Sequence, residues 1–320
     1  MKSANIKRPF DKLRDRNRLG SLRLSKGPLY IAVLFLLVAC SSAPKRSMQI
    51  STIYSSAAEM IESANACILS GDYDKAGFFL SAAENQAMSI DNYDLLTSAS
   101  LARCSLCLSV NPPDIETAER YVGFAQDFVK NCADPKKQQA IVTLNEVRIE
   151  IAKGNTDEKT NVNTSTLLSK LEENKKAVKG DPYYEAQFTL AEGDAYKLKK
   201  DYAAADKAYT AAAKAFTDNR YLSEIGICWY KAAQARSLAG NKDSAIAAME
   251  EAIFYDRAAE NSLALGTDYY AVGLILSKGS PTSSEKERAI QAFTHSAEIF
   301  TAVDADELAK RSRNAAKELQ

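Results

Sequence analysis

The sequence predicts an all-α protein made of about six antiparallel helical hairpins stacked side by side. Three observations predict this fold class. Apolar residues recur at spacings of three and four, which is the period of amphipathic helices. No segment alternates polar and apolar residues with the period of a strand. Small residues return at positions 76, 118, 205, 245 and 289, a period of roughly forty residues with one unit missing between 118 and 205.

The clearest hairpin covers residues 182–219. Each of its two helices carries one apolar stripe, and Lys200-Asp201 breaks the pattern between them. The stripes are Tyr184, Phe188, Ala191, Ala195 and Leu198 in the first helix, and Tyr202, Ala205, Tyr209, Ala212, Ala213 and Phe216 in the second. Two amphipathic helices joined by so short a break are expected to lie antiparallel.

The same arrangement predicts the remaining hairpins. The first turns at Gly71-Asp72 and the fifth at Gly240-Asn241. The second pairs a helix at 95–110 with the stripe at Ala118, and the sixth pairs 269–277 with the stripe at Ala289. The third, which fills the gap in the period, has helices at about 136–152 and 164–178. The charged last helix, 304–320, is expected to cap the stack, with a partner-binding helix as the alternative.

Stacking follows from the hydrophobic effect. One hairpin cannot bury both sides of its stripe, so neighbours must cover each other and at least three are needed. Alanine at the crossing points lets two helices approach to the short end of the 8–10 Å range. Six such units are enough for one continuous core.

These hairpins resemble tetratricopeptide repeats. The matching positions are Gly193, Tyr196, Ala205, Tyr209 and Ala212 in the fourth hairpin, Trp229, Ala233, Ala245, Met249 and Ala252 in the fifth, and Ala64, Ala76, Leu80 and Ala83 in the first. The resemblance implies a right-handed solenoid over 48–320, a TPR-like superhelix whose first helices line a concave, partner-binding face. The period here exceeds the family's repeat of about 34 residues. Arg236 and Cys67 replace a preferred Tyr, and Thr217 and Arg257 replace a Pro.

Residues 1–39 predict an export signal. Nine Lys and Arg residues precede an apolar run at 29–39 that ends in small residues. Such a run rises only about 16 Å as a helix, about half a bilayer core, so no permanent span is expected. Leu37, Ala39 and Cys40 resemble the lipobox of bacterial lipoproteins. The resemblance implies cleavage before Cys40 and acylation there, for example with palmitate. A plain secretory signal, or a buried helix with an incidental cysteine, is the alternative.

The resulting domains are a signal peptide at 1–39, a lipidated N-terminus and linker at 40–47, and the repeat domain at 48–320. In the enteric lipoproteins that the signal resembles, Asp after the cysteine retains the protein at the inner membrane. Ser41 therefore favours the outer membrane and a periplasm-facing location. From Cys40 onward the chain has 32 Lys and Arg against 39 Asp and Glu, a formal charge of −7. This acidic balance argues against nucleic acid and anionic lipid surfaces as partners.

Few residues are candidates for chemistry, and the sequence predicts no catalytic residue, no cofactor and no metal site. It contains one histidine, His295, no Gly-rich phosphate loop and no zinc-type pairing of Cys and His. We therefore predict that the protein is not an enzyme. Cys104 and Cys107 have the spacing of redox and metal motifs, but we expect them to be small apolar core residues. A disulfide from Cys67 to Cys104 or Cys107, or a thioredoxin-like or metal site, is the alternative.

Paired aromatics begin three of the first helices, at Tyr183-Tyr184, Trp229-Tyr230 and Tyr269-Tyr270. Neighbours on a helix point about 100° apart, so one member of a pair is expected in the core and the other elsewhere. Tyr184, Tyr230 and Tyr270 are accordingly predicted partner-binding residues, because tyrosine is frequent in binding hot spots. The alternative is that both members pack between hairpins.

Together these patterns predict a lipid-anchored scaffold of the cell envelope that binds another protein through the concave face. The alternative is a small-ligand-binding or solute-uptake accessory lipoprotein, with the solenoid closed around a pore or cavity. Two kinds of repeat lipoprotein look similar in architecture, those of outer-membrane β-barrel assembly and those of TRAP-type solute uptake. No motif in the sequence favours one of the two over the other. An enzyme would require a cluster of titratable groups that the sequence does not show.

Overall fold

The computed structural model describes residues 51–157 and 160–320, which form thirteen α-helices and no strand. No helix in this part of the chain is both long and apolar enough to span a membrane. The signal segment, Cys40 and the linker lie outside the described residues. In chain order the helices are α1 (Thr52–Ser70), α2 (Tyr73–Ser89), α3 (Tyr93–Ser109), α4 (Ile115–Val129), α5 (Pro135–Thr156), α6 (Thr164–Lys175), α7 (Pro182–Leu198), α8 (Tyr202–Asp218), α9 (Leu222–Leu238), α10 (Lys242–Ala258), α11 (Ser262–Ser277), α12 (Ser283–Ala302) and α13 (Asp306–Glu318).

Side-chain caps fix where many of these helices begin. A side-chain oxygen of the residue before the helix accepts a hydrogen bond from a backbone N–H in the first turn, and each such cap contributes about 1 kcal/mol. Thr282 and Glu285 add a reciprocal capping box at α12. The Asp and Asn caps are Asp72, Asn92, Asp114, Asp134, Asn163, Asp181, Asp201 and Asn261.

Consecutive helices pack as six hairpins, from α1–α2 to α11–α12, and α13 packs on α12. The predicted all-α fold of six hairpins is therefore confirmed, including the third hairpin, α5–α6. The recurring alanines at 76, 118, 205, 245 and 289 are all 0% exposed, as expected of small residues between closely packed helices. In the fourth hairpin Gly193 serves the same purpose, because an added Cβ would lie 2.5 Å from the Tyr209 ring.

The first helix of each hairpin lies on the inside of the curve. First helices of successive hairpins contact one another, as α1 with α3, α3 with α5, and α5 with α7. From Tyr183 to Leu198, α7 has no exposed residue, whereas its partner α8 carries an exposed stripe that includes Lys207 and Lys214. Second helices therefore form the outer surface and first helices the inner one.

The two ends of the stack meet. The C-terminal end of α1 contacts the N-terminal end of α11, and we call this contact the seam. Asn261 Nδ2 donates to the Leu69 carbonyl oxygen at 3.0 Å, while Asn261 Oδ1 caps α11. Gly71 has φ +80°, and an added Cβ there would lie 2.4 Å from Leu263 Cδ1. Six hairpins thus complete a closed circuit.

The charged last helix packs as a cap. Its buried residues are Ala309, Ser312 and Ala316, and most of its charged side chains are exposed. Ser312 and Ser296 share a hydrogen bond of 2.9 Å, and Ser296 Oγ donates to the Gly266 carbonyl at 2.7 Å. This buried hydroxyl pair ties α13 to α12 and α11.

Candidate functional site

The candidate site is a row of polar side chains on the first helices of hairpins three to five, which we call the inner surface. These residues are half-buried, except for buried Gln187. They link α5 to α7 and α7 to α9. The row consists of Arg148, Tyr183, Gln187, Asp194, Lys197, Glu224, Tyr230, Lys231 and Gln234.

At the α5–α7 end, Arg148 Nη2 donates to Gln187 Oε1. Tyr183 lies next to Gln187, and its ring contacts Tyr184, Phe216 and Tyr221 edge-on. Burial and then the charge of Glu224 raise the pKa of Tyr183 to about 12, so the phenol keeps its proton. Burial also raises the pKa of Glu224. This end of the inner surface combines one cation with amide and phenol groups.

At the α7–α9 end, two contacts run side by side. Lys231 Nζ donates to both Asp194 carboxylate oxygens at 2.6 and 2.8 Å, and Tyr209 Oη donates to Asp194 Oδ1 at 2.8 Å. One helical turn away, Lys197 Nζ donates to Gln234 Oε1 at 3.2 Å. Burial opposes ionisation of Asp194, but the charge and hydrogen bond of Lys231 prevail and lower its pKa. Burial and then the charge of Lys231 lower the pKa of Lys197.

A buried carboxyl pair joins α10 and α11. Asp256 and Asp268 are 2% and 1% exposed, and each has a buried oxygen without a hydrogen-bond partner. Burial raises the pKa of both groups, and the negative charge of Asp256 raises that of Asp268 further. Two adjacent carboxyls without a cation cannot both ionise cheaply, so the pair holds one proton near neutral pH.

The structure distributes the three predicted tyrosines among different packing clusters. Tyr184 packs against the core around α5 and α7, and Tyr230 against the core around α10. Tyr270 contacts Phe293, and the Arg311 guanidinium lies 4.8 Å from its ring centroid. All three are half-buried, so none is a freely exposed anchor. Their role in partner binding stays a prediction.

Two buried cysteines lie near the inner-surface row, Cys104 close to the charge of Arg148 and Cys228 close to those of Lys231 and Asp194. All five cysteines of the described residues are free thiols, and only Cys107 among them is not buried. Burial raises the pKa of Cys104 to about 12, which is typical of an inert packing thiol. Cys67 belongs to a separate apolar cluster with Leu106 against it, and its disulfide with Cys104 or Cys107 stays a prediction. His295 is exposed beside Tyr269 and Glu298.

Sequence reasoning missed Arg148, Gln187, Lys197 and Gln234, which form the two bridges between first helices. Their partners are 39 and 37 residues apart, close to the repeat period. That spacing is the signal that could have identified them. Polar residues at equivalent positions of neighbouring units are brought together by stacking.

Comparison with known proteins supports the fold. The chain is similar to the apo form of RapI, with TM-score 0.55 and 12% identity over 82% of this chain and 71% of RapI. It is also similar to a Rap protein in complex with competence and sporulation factor, with TM-score 0.53 and 14% identity over 82% of this chain and 77% of that one. No protein-family model and no curated protein matches the sequence. The chain therefore has a TPR-like helical-repeat fold.

Proposed function

We propose that the protein is a lipid-anchored component of the bacterial cell envelope that binds another protein along the inner surface. The observation that carries the binding proposal is the inner-surface row itself. It offers hydrogen-bonding side chains on a preformed, rigid set of helices, which lowers the entropic cost of binding. The structurally similar Rap protein in complex with competence and sporulation factor is consistent with this use of the fold.

The anchor proposal rests on the basic leader, the apolar run at 29–39 and the lipobox-like Leu37-Val38-Ala39-Cys40. We propose the outer membrane, with the repeat domain facing the periplasm, because Ser41 follows the cysteine. Acyl chains would hold the domain at the bilayer, since two or more chains anchor a protein stably. The tether would raise the effective concentration of the domain for envelope partners.

Photo-crosslinking tests the binding proposal. A benzophenone amino acid in place of Tyr230 is expected to capture a protein in the intact envelope. The matched control replaces Phe254, which is 57% exposed on the outer helix α10. Capture from Tyr230 and not from Phe254 supports the proposal. The absence of any protein adduct at Tyr230, with the variant folded and present at normal levels, contradicts it.

Membrane fractionation tests the anchor. Cys40→Ser removes the sulfur that would be acylated, so the protein is expected to leave the membrane fraction. Cys107→Ser is the matched control, because it changes a half-buried cysteine of the repeat domain and leaves the leader intact. A Cys40→Ser variant that stays in the membrane fraction contradicts the anchor.

A small ligand is the second candidate, favoured by a groove beside the seam. The groove has a volume of about 560 Å³ and is lined by residues that include Tyr73, Asn111, Leu263 and Leu308. This volume falls within the range of small-molecule sites. Native mass spectrometry of the full chain in detergent would reveal a bound metabolite as a fixed added mass. An unliganded mass after gentle purification contradicts this candidate.

A further inference from the structure

Half-buried cations that bridge different helices in this fold are usually paired with a carboxylate. In the part of the chain that the structure describes, two inner-surface cations are exceptions. Arg148 donates to the amide oxygen of Gln187, and Lys197 to that of Gln234. Neither forms an ion pair with a described residue. The paired cations are Arg103 with Glu84, Lys137 with Asp181, Lys153 with Glu119, Lys175 with Glu192, Lys231 with Asp194, Arg236 with Asp206 and Lys242 with Glu285.

The contrast is sharpest within a single helix interface. Between α7 and α9, Lys231 binds Asp194 while Lys197, one turn along, binds only Gln234. A neutral amide satisfies one hydrogen bond of the Lys197 ammonium group without adding a negative charge. Asp194 offsets part of the Lys197 charge, but burial and the charge of Lys231 outweigh it, and Asp194 is itself bound by Lys231. A partly desolvated charge without a directly bound counterion is unfavourable, so an incoming carboxylate would interact favourably with it.

We propose that Arg148 and Lys197 form a recognition site for an extended acidic segment of the partner protein, with one carboxylate at each cation. The proposal deepens the proposed function, on which it rests, by naming the chemistry of the partner. Guanidinium binds a carboxylate with two parallel hydrogen bonds, and the lysine ammonium binds the second as a point charge.

The distance between the cations favours a peptide over a small anion. Arg148 contacts α7 at Gln187, ten residues before Lys197. Ten residues of helix rise about 15 Å. An extended chain covers this distance in about four or five residues, at about 3.3 Å per residue. Two acidic side chains separated by that many residues can therefore reach both cations, whereas one short dicarboxylate cannot.

An acidic peptide would be attracted by the two cations themselves and not by the net charge of the chain. The chain from Cys40 onward carries a formal charge of −7, so acidic peptides gain no general attraction from it. Asp194 is already bound by Lys231 and Tyr209, and Glu224 lies beside Tyr183. Burial and the neighbouring Lys231 charge lower the pKa of Lys197, and a bound carboxylate would reverse that effect. Binding is therefore expected to weaken with added salt.

The test introduces an internal carboxylate in place of the external one. In the double variant Gln187→Glu with Gln234→Glu, each new carboxylate pairs with Arg148 or Lys197 and occupies it. Gln126→Glu is the control for added charge, because Gln126 is exposed on the outer helix α4 and gains the charge that each of the two inner-surface substitutions adds. The probe is a rhodamine-labelled decapeptide of Ser and Ala with Glu at positions 3 and 7, measured by fluorescence anisotropy with the full chain in detergent.

We expect the decapeptide to bind wild type and the Gln126→Glu variant with similar affinity, and the double variant at least ten-fold more weakly. Circular dichroism should show the double variant folded, with an equal or higher melting temperature. The same decapeptide with Gln in place of both Glu residues should bind at least ten-fold more weakly than the Glu peptide. Equal binding of the Glu peptide to wild type and double variant overturns the proposal, as does competition by free glutarate at the peptide's own concentration.

The crosslinking experiment separates this proposal from the proposed function. If the Tyr230 probe captures a protein equally in the wild-type and double-variant backgrounds, the protein-binding function stands and the acidic-segment proposal is wrong. If the probe captures a protein in wild type and loses it in the double variant, both are supported. If no protein is captured in wild type, the proposed function itself fails.

Discussion

Replacing Asp268 by Asn is expected to stabilise the protein at neutral pH and to leave its stability nearly unchanged in acid. Asp268 is 1% exposed beside Asp256, and its pKa is raised by burial and by that neighbour's charge. An unfolded Asp has a pKa of about 3.9 and loses its proton at neutral pH. The folded pair keeps a proton, so its stability is greatest below about pH 4 and declines as the pH rises through the raised pKa values.

The size of the effect follows from the proton that the folded pair retains. A solution at pH 7 is about three pH units above the pKa of an unfolded Asp. Keeping one proton on the folded pair at this pH therefore costs the folded state at most about 4 kcal/mol. Relaxation around the pair reduces this, so we expect a gain of about 2 kcal/mol for Asp268→Asn. The Asn amide can still donate to Asp256, which then ionises without a like charge beside it. A gain of this size raises the melting temperature of a chain this long by about 4–8 °C.

Thermal unfolding followed by far-ultraviolet circular dichroism at pH 4.5, 6, 7 and 8 provides the test. The difference between Asp268→Asn and wild type should grow with pH. Asp218→Asn, at an exposed position near the end of α8, is the matched control and should show no such trend. A variant that is less stable than wild type at pH 7, or a difference that does not change between pH 4.5 and 8, refutes the shared proton.

Two further predictions concern packing and the seam. Gly193→Ala places a methyl group 2.5 Å from the Tyr209 ring and should destabilise the protein by about 1–3 kcal/mol, whereas Gly123→Ala, with open space around it, should be neutral or stabilising; equal melting temperatures would contradict this. Asn261→Ser keeps a helix cap but loses the donor to the Leu69 carbonyl, at a cost of about 1 kcal/mol. Spin-label distances between the first and sixth hairpins should broaden in this variant, and an unchanged distribution would show that other contacts hold the seam.

The sequence was sufficient to predict the hairpins because their determinants are local. A crossing-point alanine such as Ala205 and a cap such as Asp201 act within one repeat, so their spacing is visible in the chain. The third hairpin was predicted from the gap it fills, because the buried residues of α6 are Leu167 and Leu171 and include no alanine. Its confirmation rests on the structure.

The closed circuit could not be predicted in this way. Asn261 and Leu69 are separated by 192 residues, and their contact depends on the angle between every pair of hairpins in between. Small changes in each crossing angle add up around the stack, and no single residue pattern fixes their sum. The sequence left the groove shape open for that reason, with a closed solenoid as one alternative.

The two inner-surface cations that lack a carboxylate partner could not be predicted either, but for a chemical reason. In the sequence, Lys197 and Lys231 look equivalent, because each has a polar residue 37 positions away. That residue is Gln234 for Lys197 and Asp194 for Lys231. Only the structure shows that one partner is a carboxylate and the other an amide. A carboxylate at position 234 would give α7 and α9 two parallel ion pairs, but the net stability gained from such a half-buried pair is small, because desolvation of both charges offsets their attraction. Stability alone therefore distinguishes weakly between Gln and Glu there, whereas binding of an acidic segment requires the neutral residue.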